Sequence, residues 1–234
     1  METPEVMREL AALGKDSLKK RYIGNGAQEP LFGVATGAMK PLAKKTGKNQ
    51  LLAEELYATG NYDAMYFAGI IAEPDNMGES DFNRWMEGAY FFMLSDFVVA
   101  VTLAEAKIAK MVAAKWLDSS RNLTVSGGWC CWSWLAGWRP DGEFETEFMR
   151  KLLQRAREDI VSHDGRARIA IRDFIIAAGV SYKPLHNEAL MIAEAVDSRA
   201  LDYDDAKCFS GVAKEITVAA EKGRIGFKRK NVRC

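Results

Sequence analysis

The stretch from Trp85 to Trp116 dominates the hydrophobic pattern, because it is mostly apolar and yet carries Asp96 in its middle. The pattern predicts two helices or one kinked helix. Burying a lone carboxylate is expensive, so we expect Asp96 to be solvated at a cleft, paired, or functional. Phe92 lies one α-helical turn before Asp96, which places the ring and the carboxylate on one helical face. Such a face can hold a planar or sugar-like group against a negative charge.

The rest of the pattern predicts about ten helices joined by short loops, with no convincing strand alternation. Ser80 or Asp81 is expected to cap the helix that carries Trp85, and Gly179 is expected to end a later one. Helix pairs recur about every forty residues, which is typical of HEAT-like stacking, although a non-repeating bundle remains an alternative. Further helices are predicted over 4–21, 36–45, 49–59, 61–73, 143–158, 165–178, 185–196 and 210–222.

The composition is that of an ordinary globular protein: among 234 residues, 48% are hydrophobic and 27% are charged. We expect one domain over residues 1–234. No apolar run reaches membrane-spanning length, and the N-terminus METPEVMREL lacks the core of a signal peptide. These features predict a cytoplasmic protein that makes no membrane contact.

Charge is sorted along the chain although the formal net charge is zero, from 32 basic and 32 acidic side chains. Residues 51–100 hold nine acids and a single basic side chain, Arg84. The last thirteen residues, a basic tail over 222–234, hold six basic side chains and no acid. This segregation indicates a face or tail that is suited to an anion.

Metal, cofactor and disulfide chemistry find little support in the sequence. His163 and His186 are isolated from each other and from any cysteine, which argues against a metal site. The glycine-rich elements Gly24-Asn25-Gly26 and Gly127-Gly128 do not fit a phosphate loop, and no serine lies in a nucleophile elbow. We therefore expect no cofactor and no metal. The four cysteines form no C-x-x-C pair, so neither a disulfide framework nor a zinc knuckle is expected for Cys130, Cys131, Cys208 and Cys234.

An aromatic cluster lies in one predicted helix, at Trp129, Trp132, Trp134 and Trp138. Trp129 and Trp132 are three residues apart and share a helical face. Core packing is the favoured use, because large aromatic side chains dominate helical cores. The alternative is a stacking platform beside a nucleic acid.

Two segments carry a family resemblance, NYDAMYFAGIIAEP over 61–74 and WMEGAYFFMLSDF over 85–97. Pieces at 115–119, 128–129, 168–179 and 223–230, with the terminal Cys234, follow the same pattern in the same order. Together they resemble the AlkD-type DNA alkylation repair proteins over nearly the whole chain. The resemblance implies an all-α superhelix of HEAT-like repeats, C-shaped, whose basic concave face holds duplex DNA.

The resemblance also implies an activity, hydrolysis of the N-glycosidic bond of cationic purines alkylated at N3 or N7. The catalytic aspartate maps onto Asp96, and the aromatic residue four positions earlier, a Trp in the family, maps onto Phe92. We expect Phe91 and Trp85 to join Phe92 in stacking on the substrate. A second Trp of the family site, expected near Arg172 or Asp173, is missing, and a phosphate-contacting Arg is replaced near Ser126.

This chemistry would need only one acid. A cationic alkylpurine leaves without protonation, so a carboxylate that stabilises positive charge on the deoxyribose and helps to position a water suffices. Affinity would come from cations on the phosphates and would depend strongly on salt. The candidate phosphate-binding residues are Lys40, Lys44, Lys45, Lys107, Lys110, Arg172, Lys228, Arg229 and Lys230.

Three functions follow from these observations. The first is a monomeric glycosylase acting on double-stranded DNA with alkylated bases. The second is a protein that recognises DNA structures or lesions without cutting, which the missing Trp and Arg favour. The third is a HEAT-type protein-interaction scaffold, which the zero net charge favours; it predicts a large apolar surface patch and no DNA binding.

Overall fold

A computed structural model describes residues 1–198 and 211–232, and every regular element within these ranges is helical, which confirms the all-α prediction. The chain divides into two compact units, of which the first comprises Met1–Ala109 and the second begins at Lys110. The expectation of one domain over 1–234 therefore stays a prediction. The predicted start of the last helix, Ser210, lies outside the described residues.

The first unit contains eight of the described α-helical segments, and a π-helical segment, Ser95–Val99, joins its last two. Short 3₁₀ turns form at Thr36–Ala38 and Pro74–Asn76. The helices are α1 (Thr3–Leu13), α2 (Asp16–Gly24), α3 (Met39–Thr46), α4 (Gln50–Ala58), α5 (Tyr62–Ile71), α6 (Glu79–Gly88), α7 (Phe92–Leu94) and α8 (Ala100–Glu105).

The first predicted helix is interrupted at Gly14, between α1 and α2. A Cβ atom at Gly14 would lie 2.5 Å from the carbonyl oxygen of Phe32, so only glycine allows this approach of two backbone segments. The predicted cap of α6 is also wrong. Gly78 occupies the N-cap, and Asp81 accepts its N–H at 2.9 Å from within the first turn.

Asparagine caps start α4 and α5, which pack against each other. The Asn49 side chain accepts the Leu52 N–H, and the Asn61 side chain accepts the N–H groups of Asp63 and Ala64. These bonds satisfy donors that the first helical turn would leave without partners. The predicted helix starts here agree with the structure because the signal is local.

A buried carboxylate ties the loop before α3 to the start of α5. Asp63 Oδ2 accepts the N–H groups of Phe32 at 2.6 Å and Gly33 at 2.9 Å, and Oδ1 accepts the Val34 N–H at 2.9 Å. Burial raises the pKa of the Asp63 carboxyl, whereas these three N–H groups act to lower it. The arrangement orients the loop by satisfying three consecutive backbone donors.

The second unit is organised around the contact between two long helices, α10 (Asn122–Trp138) and α12 (Gly165–Ser181). Helix α12 also packs against α11 (Thr146–Ser162), α13 (His186–Ser198) and α14 (Val212–Glu221). Short 3₁₀ turns form at Asp141–Glu143 and Lys183–Leu185. The helices are α9 (Ala109–Trp116, whose first residue belongs to the first unit), α10 (Asn122–Trp138), α11 (Thr146–Ser162), α12 (Gly165–Ser181), α13 (His186–Ser198) and α14 (Val212–Glu221).

Gly179 does not end α12, contrary to the prediction, because the helix continues to Ser181. A Cβ atom at Gly179 would lie 2.6 Å from Cδ1 of Ile216. The glycine therefore serves the close packing of α12 against α14. The local pattern of the sequence cannot distinguish this use of glycine from a helix stop.

None of the described helices combines the length and the apolar character needed to cross a membrane. Within 1–198 and 211–232, no three His, Cys, Asp or Glu side chains are grouped so that they could hold a metal ion. Cys130 and Cys131 are buried free thiols, and burial raises the pKa of the Cys131 thiol. Cys208 and Cys234 lie outside the described residues.

Candidate nucleic-acid interface

Asp96, the predicted catalytic acid, has no exposed surface. It lies in the π-helical segment Ser95–Val99, and the Ser95 hydroxyl donates a hydrogen bond of 2.8 Å to its Oδ1. Single π turns inside helices are frequent at functional sites, and the α-helical pattern gave no sign of this one. In this conformation the carboxylate does not open onto a groove, which departs from the expected geometry.

The side chains of Phe92 and Phe97 are the partly exposed aromatic rings of this segment. Phe92 is half-buried, and its ring centroid lies 5.6 Å from that of Phe91 and 6.4 Å from that of Phe97 in edge-to-face contacts. Phe97 is 37% exposed. Rings are therefore accessible next to Asp96 in sequence, although the carboxylate itself is covered.

Trp85 and Phe91 form part of the core and present no open face for substrate stacking. Trp85 is 1% exposed, stacks on Tyr57 with ring centroids 4.2 Å apart, and donates its indole N–H to Glu54. Phe91 is 7% exposed and packs against the ring of Tyr62. Their predicted role in substrate stacking is replaced in this structure by a packing role, because neighbouring rings cover them.

Helix α3 presents three of the predicted phosphate-binding lysines, and all three are exposed. Lys45 lies 3.5 Å from a carboxylate oxygen of Glu5 and 3.4 Å from one of Glu9. Within residues 1–198 and 211–232, neither Lys40 nor Lys44 forms an ion pair with an acid. The two lysines are four residues apart, so they lie on the same side of α3.

Lys107 and Lys110, two further predicted phosphate ligands, are engaged with other groups. Lys107 Nζ lies 3.3 Å from Asp75, although the lysine side chain is 84% exposed. Lys110 donates to the backbone carbonyl of Glu143, and its Nζ lies 4.6 Å from the centre of the Phe144 ring. Lys110 therefore borders an apolar pocket of about 400 Å³ instead of standing free in solvent.

Arg172 is also engaged, by two carboxylates of the second unit. Its guanidinium bonds to Asp173 Oδ1 at 2.8 Å and to Glu215. Burial acts to lower the pKa of Arg172, but the hydrogen bond to Glu215 raises it above its ordinary value. A phosphate would have to compete with two carboxylates for this guanidinium, so the structure favours an internal role.

The three predicted phosphate-binding residues of the basic tail divide into one half-buried contact and two exposed cations. Lys228 Nζ lies 2.6 Å from Asp141 and donates to the carbonyl of Ala136, so it fastens the tail to the end of α10 instead of meeting phosphate. Arg229 and Lys230 are exposed. The Arg229 N–H also donates to the Gly137 carbonyl, which fixes the direction of the segment.

Two features of functional interest were missed from the sequence. The first is the set of three backbone N–H groups that donate to the Asp63 carboxylate. The nearby asparagine cap was the one local signal for it. The second is the position of Arg229 over the Trp134 ring, 4.6 Å from its centre. Nothing local could have indicated this pair, because the two residues are almost a hundred positions apart in sequence.

Comparisons with known proteins agree with the resemblance found in the sequence. A family model described as DNA alkylation repair enzyme matches residues 6–201. The uncharacterized protein Lin0241 of Listeria innocua is 27% identical over 205 residues, which is 86% of this chain and 88% of that protein. The uncharacterized protein Lmo0209 of Listeria monocytogenes is 26% identical over the same shares.

A solved structure is more similar still. It comes from a new family of proteins related to the HEAT-like repeat DNA glycosylases, with affinity for branched DNA structures. It is 49% identical, the match covers 100% of both chains, and the TM-score is 0.91. The likeness shows that the fold is of the HEAT-like repeat type, as the spacing of helix pairs predicted.

Proposed function

The chain belongs to the DNA alkylation repair enzyme family, and from this premise we propose that it binds duplex DNA, prefers branched structures, and releases no bases. Its relative of 49% identity has affinity for branched DNA structures. The proposal corresponds to the second function drawn from the sequence, recognition without cutting.

One observation carries the proposal, the complete burial of Asp96. Stabilising positive charge on a deoxyribose requires a carboxylate close to the sugar, and a covered acid bonded to Ser95 is not available for that contact. The replacement of the expected Trp by Phe92 and the missing second Trp of the family site point the same way. Binding needs none of these groups.

Exposed cations of each unit are available for the phosphates. Lys40 and Lys44 lie on one side of α3 in the first unit, and Arg229 and Lys230 extend the end of the second. Each phosphate neutralised releases counterions, so affinity should fall steeply as salt rises. These contacts position a duplex without reading its sequence, which suits recognition of DNA by shape.

The experiment compares binding of a four-way junction and of a linear duplex with equal arm sequences over a range of salt concentrations. We expect tighter binding of the junction. For the doubly substituted Lys40→Met/Lys44→Met protein, the plot of log affinity against log salt should be less steep than for the native protein. The slope should fall by about 0.9 for each phosphate that the variant no longer neutralises. Lys45→Met is the matched control on the same helix and should change the slope less, because Glu5 and Glu9 already neutralise this lysine.

Equal affinity for junction and linear duplex would contradict the branched-DNA proposal. Unchanged slopes in the Lys40→Met/Lys44→Met protein would remove α3 from the interface.

A second candidate is the alkylpurine glycosylase, favoured by the order Phe92 then Asp96 and by the π turn that holds the acid. It requires a conformation in which Asp96 becomes accessible. The test is release of 7-methylguanine from alkylated duplex DNA by the native protein and by Asp96→Asn. Release by the native protein alone would establish the glycosylase and overturn binding without cutting. Absence of release from both agrees with our proposal.

A further inference from the structure

The four tryptophans of α10 divide into two pairs with different surroundings. Trp129 and Trp132 have no exposed surface and pack against the rings of Phe174 and Phe148. Trp134 and Trp138 are only partly buried. They lie four residues apart, so their rings emerge on the same side of the helix near its C-terminal end. Core packing explains the first pair and leaves the second unexplained.

Each tryptophan of the second pair carries an arginine over its ring. The Arg229 guanidinium carbon lies 4.6 Å from the centre of the Trp134 ring, and that of Arg139 lies 4.2 Å from the centre of the Trp138 ring. Guanidinium groups at this distance are attracted by the ring quadrupole. We call these four side chains the Trp–Arg surface.

The tail that supplies Arg229 is held in place by contacts independent of the arginine side chain. The Arg229 N–H bonds to the Gly137 carbonyl at 2.8 Å, and the Gly226 N–H bonds to the Val180 carbonyl at 2.8 Å. Lys228 adds its ion pair with Asp141. The guanidinium is therefore positioned over the ring by a fixed backbone, which reduces the entropy lost when it binds a ligand.

Charge identifies the kind of ligand. Residues 222–232 contain five basic side chains and no acid. Two described acids lie close to this surface and both are paired: Asp141 lies 2.6 Å from Lys228, and Glu143 lies 3.9 Å from Arg139. Phe227, in the same segment, is 69% exposed. Half-buried tryptophan rings, the guanidinium groups over them and the excess of basic side chains in the tail match a nucleic-acid strand whose bases are unpaired.

We infer that the Trp–Arg surface binds unpaired nucleotides, such as those at the branch point of a DNA junction, by stacking their bases on the tryptophan rings and guanidinium planes. The inference rests on the proposed function and names the feature by which the protein would distinguish branched DNA from a continuous duplex. In a duplex the bases are stacked on each other and hidden, whereas at a branch point they are exposed. The phosphates on either side then meet Arg229 and Lys230.

The experiment uses the whole protein and a three-way junction with two unpaired thymidines at the branch, together with the same junction carrying abasic spacers there. The native protein should bind the thymidine junction about tenfold more tightly than the abasic one, as expected for stacking of a base. Trp134→Ala should bind both junctions with nearly equal affinity. Arg229→Met, which leaves the helix unchanged, is the second variant, and it should lose several-fold of the preference.

Phe148→Ala removes an exposed ring outside the Trp–Arg surface and should keep the native preference. Circular dichroism melting verifies that each variant is folded. Native protein that binds junctions with no preference for thymidines over spacers would overturn the inference while leaving the proposed function intact. A native protein that binds no branched DNA would overturn the proposed function itself. Retention of the full preference by both Trp134→Ala and Arg229→Met would assign base stacking to another surface.

Discussion

Asp63→Asn should destabilise the first unit, and its cost can be worked out from three hydrogen bonds. Oδ2 accepts the N–H groups of Phe32 and Gly33, and Oδ1 accepts that of Val34. An amide has one oxygen, so the best orientation keeps two acceptor bonds and turns an NH₂ group towards the third N–H. A buried donor is then left unsatisfied, and the two remaining bonds lose their charge-assisted character. We expect a loss of about 3 kcal/mol in the free energy of unfolding.

The measurement is urea unfolding at pH 7, followed by circular dichroism. Asp16→Asn is the matched control, because Asp16 is an exposed acid of the same unit; it should change stability by less than about 0.5 kcal/mol. A native-like free energy of unfolding for Asp63→Asn would refute the reasoning, since it would mean that the loop before α3 does not depend on this carboxylate. Asp63→Ala, which leaves three donors without partners, should be at least as destabilising as Asp63→Asn.

Three further predictions concern stability. Gly33→Ala should lower the free energy of unfolding by at least about 2 kcal/mol, measured by thermal unfolding. Gly33 has φ +80°, and a Cβ there would lie 2.5 Å from the backbone nitrogen of Lys19. The Gly78 N–H and Arg84 hold the pKa of the Asp81 carboxyl below its ordinary 3.8. The contribution of this carboxylate to stability is therefore present above about pH 4 and is lost as the pH falls through the lowered pKa. Asp81→Asn should lower the free energy of unfolding by about 0.5 kcal/mol at pH 7, and by less at pH 2.5, in urea titrations. Lys228→Met should lower the melting temperature, whereas Lys230→Met should leave it unchanged and weaken DNA binding in salt titrations.

The helices that were predicted well are those whose ends are signalled by neighbouring residues. Asn49 and Asn61 cap α4 and α5 within one turn, and Gly60, with φ +68°, follows the end of α4. The errors arose where distant residues decide. Gly14 interrupts a helix because the Phe32 carbonyl approaches it, and Gly179 remains inside a helix because Ile216 packs there. Glycine has the same local signature in all of these uses.

The candidate site was harder to predict than the fold, because burial depends on elements that are separate in the sequence. The pattern identified Asp96 as the acid to examine, and the structure places it in a π turn with no exposed surface. Among the nine predicted phosphate ligands, charge alone could not separate Lys44, which is exposed, from Arg172, which two carboxylates of its own unit engage. A basic side chain that is paired with an acid of its own unit has to give up that ion pair before it can bind a phosphate.

Under the proposed function, the contrast between Asp96 and the Trp–Arg surface would explain how one fold passes from cutting DNA to recognising its shape. Catalysis depends on a carboxylate at the sugar, so covering that single group removes the chemistry while leaving the helices around it intact. Recognition depends on many weak contacts, and on our inference the tail that brings Arg229 to Trp134 would add one without any change in the core. Removal of residues 222–234 should therefore abolish the preference for unpaired thymidines and leave the salt-dependent binding through α3. A truncated protein that is folded by its circular dichroism spectrum could instead lose both the thymidine preference and the salt-dependent binding. That result would show that the tail and α3 do not contribute separately to DNA binding.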